Sequence, residues 1–374
     1  MKWRHTNFIM KNTIIQWCHS TINPVMGCAG CELWPSKSKL LRELVEVIRS
    51  TPTPPAADEV GTVLESITAD LELTSQIHFN RVNITSRLAS HFGLLPAVRN
   101  QLEEVIRAAC KCYAGLLGAA RPAHPGYADR FEIPKLFPGR MAMASRWAPV
   151  SQSEVEAKPW LQGSPRMIFI SDMGDALSTS VPFPFLKNEI IDAVTSDSGR
   201  RHLWLWLSKR PARMAEFGRW LLAQGVAWPE NLVAMTTVTS QDTAGRVQEL
   251  RSVPSRFKGL SCEPMFSELT LDLTGIDWVI AGGGSDIYAE PFHVEWALKL
   301  RGACRHAGSA FFFKQLGRNP VFQGSSLKLI DQHGGDWNEW PDAGWKIREM
   351  PAGFYSIKGR AGVELHFQIP PPLA

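Results

Sequence analysis

No apolar run in this chain is long enough to cross a bilayer, which excludes a helical membrane span. Net charge is scarce too. Lys plus Arg at 40 against Asp plus Glu at 36 leaves +4, compatible with a nucleic-acid partner but too little to demand one. Neither H-E-x-x-H, G-x-S-x-G nor G-x-x-x-x-G-K-[ST] occurs, and the ten histidines do not gather at ligand spacing, so hydrolase and nucleotide-triphosphatase readings have no support. There is no long internal repeat and no low-complexity tract. The opening residues are polar and basic with no apolar core behind them, so a secretory leader is not expected, and Met10-Lys11-Asn12 reads as a natural start. The expected compartment is the reducing cytoplasm, where seven cysteines, an odd number, favour metal or catalytic thiolates over disulfides.

What the chain does hold is two pairs of clustered cysteines and a repeating apolar pattern. Cys28 and Cys31 form a C-x-x-C in a loop rich in turn residues (Asn23-Pro24, Gly27, Gly30), and Cys110 and Cys112 lie far downstream. From spacing alone, a closed structural zinc site of Cys28, Cys31, Cys110 and Cys112 leads. Cys18, Cys262 and Cys304 read as buried small hydrophobes.

The short apolar or β-branched runs at residues 13–17, 131–134, 167–170, 203–207, 232–238, 257–260, 278–281 and 310–313 are mostly separated by helical stretches. That alternation predicts a parallel sheet and an α/β fold of the TIM-type (β/α) barrel class, partial or complete. With 374 residues the chain exceeds the ~250 of a typical barrel, so insertions are expected. The division reads as first strand and cysteine loop at 10–34, helical insertion at 35–109, remainder of the barrel at 110–317, and loop-rich cap at 318–374. Helical periodicity is clear at 40–48, 60–73 and 94–109, residues 113–119 read as the first barrel helix, and a late hairpin pairs 354–357 with 363–367.

Taken in order, Asn23-Pro24, Gly27-Cys28, Cys31-Glu32-Leu33-Trp34, Cys112-Tyr113-Ala114-Gly115, Ile168-Phe169-Ile170-Ser171-Asp172-Met173, Ser208-Lys209-Arg210-Pro211, Cys262-Glu263-Pro264, residues 277–283 and residues 312–315 resemble the blocks of the three-Cys-motif family of phage and bacterial radical-SAM-like proteins, a domain of unknown function. The resemblance covers roughly residues 13–34 and 110–317, and it reverses the preference for zinc. It implies a [4Fe-4S] cluster held by Cys28, Cys31 and Cys112, with a remaining iron for S-adenosyl-L-methionine (SAM), and Cys110 as an extra thiol. It further implies a six-strand partial barrel more often than a complete one. The partners it suggests are an electron donor, a partner protein, and a substrate that is nucleic acid or another macromolecule.

In parallel barrels the site is built at the strands' C-terminal ends, so the polar residues just after the apolar runs are the candidates. Asp172 or Asp175 could bind ribose hydroxyls, or cap a helix. Lys209 and Arg210 could bind a carboxylate or phosphate, or be a solvated helix start. Glu263 could take an ammonium or act on substrate, or pin a loop. The glycines from Gly282 could let backbone amides approach a ligand, or form a plain turn. Lys314-Gln315 closes the series, and Trp34 and Tyr113 could shield a cluster. The resulting cofactor-binding set is Ser171, Asp172, Ser208, Lys209, Glu263, Gly282 and Gly283, with metal ligands Cys28, Cys31 and Cys112; no catalytic residue is assigned.

Overall fold

A computed structural model describes residues 11–120, 124–286, 289–358 and 364–366. The N-terminal extension expected before Met10 lies outside the described residues, as does the turn of the late hairpin. The chain divides into two compact units, one of Gly27–Lys135 and one of the residues up to Met26 together with those from Leu136 onward.

The first unit is helical: α1 (Lys37–Arg49), α2 (Ala57–Ile67), α3 (Thr74–Phe79), α4 (Arg81–Phe92), α5 (Pro96–Ala109) and α6 (Tyr113–Ala119). Leu40, Leu44 and Ile48 recur every four residues and so fall on one stripe of α1. They pack with Val60, Leu64, Ile77, Ile84, Leu88, Leu102 and Ile106 into a core of their own. Ser36 caps α1 through the Lys39 N–H, and Gly93, in the left-handed region at φ 62°, ends α4. The helix at 113–119, expected as the first of a barrel, belongs to this unit.

The second unit carries seven parallel strands in chain order: β1 (Ser20–Ile22), β2 (Met167–Ile170), β3 (Leu203–Ser208), β4 (Leu232–Thr237), β5 (Lys258–Cys262), β6 (Trp278–Gly282) and β7 (Ala310–Gln315). They form a curled half-barrel flanked by helices. Alternation decides the two faces. Ile168, Ile170, Trp204, Trp206, Val279, Phe311 and Phe313 pack outward with the helix residues Phe217, Leu221 and Leu300. Met167, Phe169, Leu203, Leu205, Met235, Trp278, Ile280 and Phe312 line the other face, which Trp17 and Phe354 fill.

Among the described residues one of the eight expected strands, 131–134, is absent, and the first, expected at 13–17, lies later in the chain as β1. Residues 13–17 are irregular because the Lys158 ammonium takes the carbonyls of Thr13, Ile15 and Cys18 at 2.7, 2.6 and 2.6 Å, groups that a strand would have offered to a neighbour. Trp17 turns inward instead, its ring 4.7 Å from that of Phe169. Residues 131–134 form a turn closed by Ile133 N–H on the Arg130 carbonyl. The sheet therefore ends on β1 at one edge and β7 at the other. Of the cap, 3₁₀ turns and the antiparallel pairing of Ser356–Lys358 with Glu364–His366 are seen.

Candidate functional site

The cysteine loop lies within the helical unit and is held mainly by backbone. Gly27 has φ 87°, and a Cβ there would stand 2.5 Å from the Phe131 carbonyl oxygen, the same oxygen that accepts the Cys28 N–H at 2.8 Å. Only glycine fits that approach. Cys31 and Trp34 exchange both backbone hydrogen bonds, at 3.0 and 3.1 Å. Between them, the Leu33 carbonyl accepts the N–H groups of Lys111 and Cys112, at 3.0 and 3.1 Å. Leu33 and Cys112, 79 positions apart, are thereby joined, so Cys112 meets the segment that starts at Cys31.

Trp34 is the keystone of this arrangement. Its Nε1–H donates to Glu132 Oε1 at 3.1 Å, and its ring lies so close over Gly115 that a Cβ there would come within 2.5 Å. This accounts for the glycine in Cys112-Tyr113-Ala114-Gly115. Cys28 and Cys110 are buried, and Cys31 and Cys112 are half-buried. Burial, reinforced by Glu132 and Cys112, pushes the Cys110 thiol up to about 12. Trp34 lies beneath the loop while Tyr113 faces solvent. Among the described residues no group of three or more His, Cys, Asp or Glu side chains stands at metal-holding distance, so the joining of the thiol-bearing segments is a property of the backbone.

In the sheet unit the strand-end residues fall into three knots. Asp175 accepts from Ser208 Oγ at 2.9 and 3.0 Å, Arg210 Nη1 at 2.8 Å, Leu177 N–H at 2.9 Å and Lys209 N–H at 3.3 Å. Its lone pairs are spent joining the ends of β2 and β3. In the second knot, Glu263 Oε1 accepts from Lys314 Nζ at 2.6 Å and Gln315 Nε2 at 3.1 Å, and Gln315 Nε2 also reaches the Gly283 carbonyl at 2.8 Å. The space beside Gly282 and Gly283 is taken by β7: a Cβ would meet the Gln315 and Leu316 carbonyl oxygens at 2.9 and 2.5 Å.

The third knot retains hydrogen-bonding capacity. Asn23 Nδ2 donates to Asp172 Oδ1 at 2.5 Å, and Asn23 Oδ1 accepts the Met173 N–H at 2.9 Å. Burial pushes the Asp172 carboxyl up to about 6, against hydrogen bonds that favour its charged form. Ser171 beside it is held at φ 74°, an uncommon conformation for a residue with a Cβ. Its hydroxyl is buried with no partner among the described residues, and so is that of Thr239, two residues past β4. Buried hydroxyls left open in this way suit a ligand that donates and accepts hydrogen bonds. Neither Asn23, which stood only within the Asn23-Pro24 block, nor Thr239 is among the candidate binding residues expected from the sequence. Asn23 stood in the sequence as a turn residue, and Thr239 carried no signal.

A family model described as Protein of unknown function (DUF5131) matches residues 103–341, a span holding Cys110, Cys112 and all the strand-end candidates. Cys28 and Cys31 precede it. No curated protein and no solved structure matches the chain.

Proposed function

The chain belongs to the DUF5131 family, whose function is unknown, and we propose that it is an iron–sulfur enzyme of the radical-SAM kind, with Cys28, Cys31 and Cys112 as the three thiolate ligands of a [4Fe-4S] cluster. The observation that carries this reading is the Leu33 carbonyl, which takes the Cys112 amide and so brings a third thiol-bearing segment to the C-x-x-C loop. Three thiolates suit a cluster that keeps one iron for SAM, and such a cluster supplies the electron that cleaves SAM to a 5′-deoxyadenosyl radical. The chain's own part is to fix the loop through Gly27, Trp34 and Gly115, and to cover it from below with the Trp34 ring.

Within the strand-end set Ser171 and Asp172 are the groups proposed to bind SAM, since Ser208 is spent on Asp175. The glycines Gly282 and Gly283 and the amide of Lys209 shape the strand ends, and Glu263 holds Lys314 and Gln315. An electron donor is required, and nucleic acid or another macromolecule is the proposed substrate class.

Protein prepared without oxygen is expected to be brown, with iron and sulfide in equal amounts. Cys28→Ala, Cys31→Ala and Cys112→Ala should each lose the cluster, and Cys110→Ala should keep it. SAM should then alter the reduced cluster's electron paramagnetic resonance spectrum, and a reductant should release 5′-deoxyadenosine. A colourless folded protein with stoichiometric zinc, lost equally on Cys110→Ala, would replace this reading with a four-thiolate structural site.

A further inference from the structure

A half-barrel has an open side between its two edge strands, and here a short stretch of the cap spans it. Beside β7, the Phe313 N–H donates to the Ile347 carbonyl at 2.7 Å, the Glu349 N–H to the Phe311 carbonyl at 2.9 Å, and the Phe311 N–H to Glu349 Oε2 at 2.9 Å. Arg348 stands opposite Phe312 in this antiparallel contact, so its side chain shares the inner face with the Phe312 ring. The guanidinium lies 3.9 Å from the Trp160 ring and 4.2 Å from that of Trp337. Trp160 belongs to the other edge: its Nε1–H donates to the Gln16 carbonyl at 2.8 Å, in the segment that leads into β1. Arg348 therefore ties one edge of the sheet to the approach to the other.

This tie has firm ends and a weak middle. Trp345 and Phe354 are buried on either side of it, with Trp345 4.8 Å from the Phe322 ring and Phe354 5.5 Å from that of Trp278. Between them, the Arg348 guanidinium donates to no carboxylate among the described residues. Its Nη2 reaches the Gly335 and Lys314 carbonyls at 3.1 and 3.3 Å, and its Nε is buried without a partner among the described residues. Burial pushes the guanidinium down to about 9, against the pull of Asp336. A buried cation held by ring faces and long carbonyl bonds gives up little when water reaches it, because water replaces the bonds it had.

We propose that residues 346–353 form a strap latched by Arg348, which swings out as a unit while Trp345 and Phe354 stay anchored, opening the half-barrel from the side. Released, it would bare the β7 edge and the inner-face ring of Phe312. The opening does not depend on what the thiols hold.

Hydrogen exchange in the full chain tests this, read at the amides of isotope-labelled phenylalanine. Phe311 and Phe313 point their amides at the strap, whereas Phe169, in β2, lies between two strand neighbours. The first two should exchange faster than Phe169, at a rate that low denaturant does not change, the mark of a local opening. Arg348→Met should speed them about tenfold, the scale of a lost cation–π contact, and leave Phe169 unchanged. Arg348→Lys, which keeps a cation over the indoles, should bring the rate back towards that of the parent. Exchange of all three amides at one denaturant-sensitive rate would overturn the proposal and make the segment a fixed part of the barrel. So would equal acceleration of all three, or of none, in Arg348→Met. The comparison within the parent needs no variant and decides the matter should Arg348→Met fail to fold.

Discussion

At the strand ends of the sheet unit, side chains hold side chains: Asp175 gathers Ser208 and Arg210, and Glu263 gathers Lys314 and Gln315. In the thiol loop of the helical unit the corresponding holding is done by main chain, through the Phe131 and Leu33 carbonyls and the Cys31–Trp34 pair, with glycines where a Cβ would not fit. A loop held by its backbone can give up a side chain without losing its shape. A knot of polar side chains cannot, because each member left behind is buried without its partner. The two regions should therefore respond differently to mutation, the strand ends in stability and the loop in what it binds.

The largest effect is expected at Asp175. Asp175→Ala removes the acceptor of the Arg210 guanidinium, the Ser208 hydroxyl and two amides at once, and breaking one partner of a buried ion pair costs about 3–5 kcal/mol. Chemical denaturation should show that loss in the sheet unit. A change below about 1 kcal/mol would mean that the knot is not structural and would undo the contrast.

Next is Asp172, whose stability contribution changes with pH. The folded carboxyl titrates near 6, above its ordinary value of 3.8. The folded state thus binds the proton more tightly than the unfolded chain. Its contribution is fully present below pH 3.8 and is lost as pH rises through 6. A shift of that size corresponds to roughly 3 kcal/mol at neutral pH. Asp172→Asn, neutral at every pH, should melt higher than the parent at pH 8 and match it near pH 4, while weakening SAM binding. A melting difference that stays constant with pH would show that burial of the charge is not what sets Asp172 apart.

How far these features could be read in advance depends on whether their causes are local. Six strands, β2 to β7, are apolar runs that declare themselves, as do α1, α5 and α6. The place of β1 does not, because residues 13–17 look more β-like than Ser20–Ile22 and lose their strand to an ammonium some 140 positions away. The cysteines could be picked out by spacing, but the Leu33 carbonyl that joins their segments could not, since a backbone group leaves no mark in a sequence. Asp172 and Asp175 stand three residues apart and looked equivalent. Only the fold separates the carboxylate saturated by donors from the one next to a buried, open hydroxyl.

The smallest effect tests the loop itself, and two opposing terms have to be weighed. Gly115 lies inside α6, where replacing glycine by alanine ordinarily gains up to about 1 kcal/mol of helix propensity. Against that, the new Cβ would stand 2.5 to 2.8 Å from three carbons of the Trp34 ring. The ring cannot retreat cheaply, because its Nε1–H is bound to Glu132 and its backbone is paired with Cys31. Overpacking of this kind costs about 1–3 kcal/mol, so the clash wins by roughly 1 kcal/mol. Gly61, in α2 with nothing within 4 Å of its missing Cβ, is the control in the same unit. Gly61→Ala should stabilise, Gly115→Ala should destabilise, and only Gly115→Ala should lower the metal content of protein purified without oxygen. If Gly115→Ala stabilises as Gly61→Ala does, Trp34 is free to move, and the backbone does not hold the loop in the way the contrast with the strand ends requires.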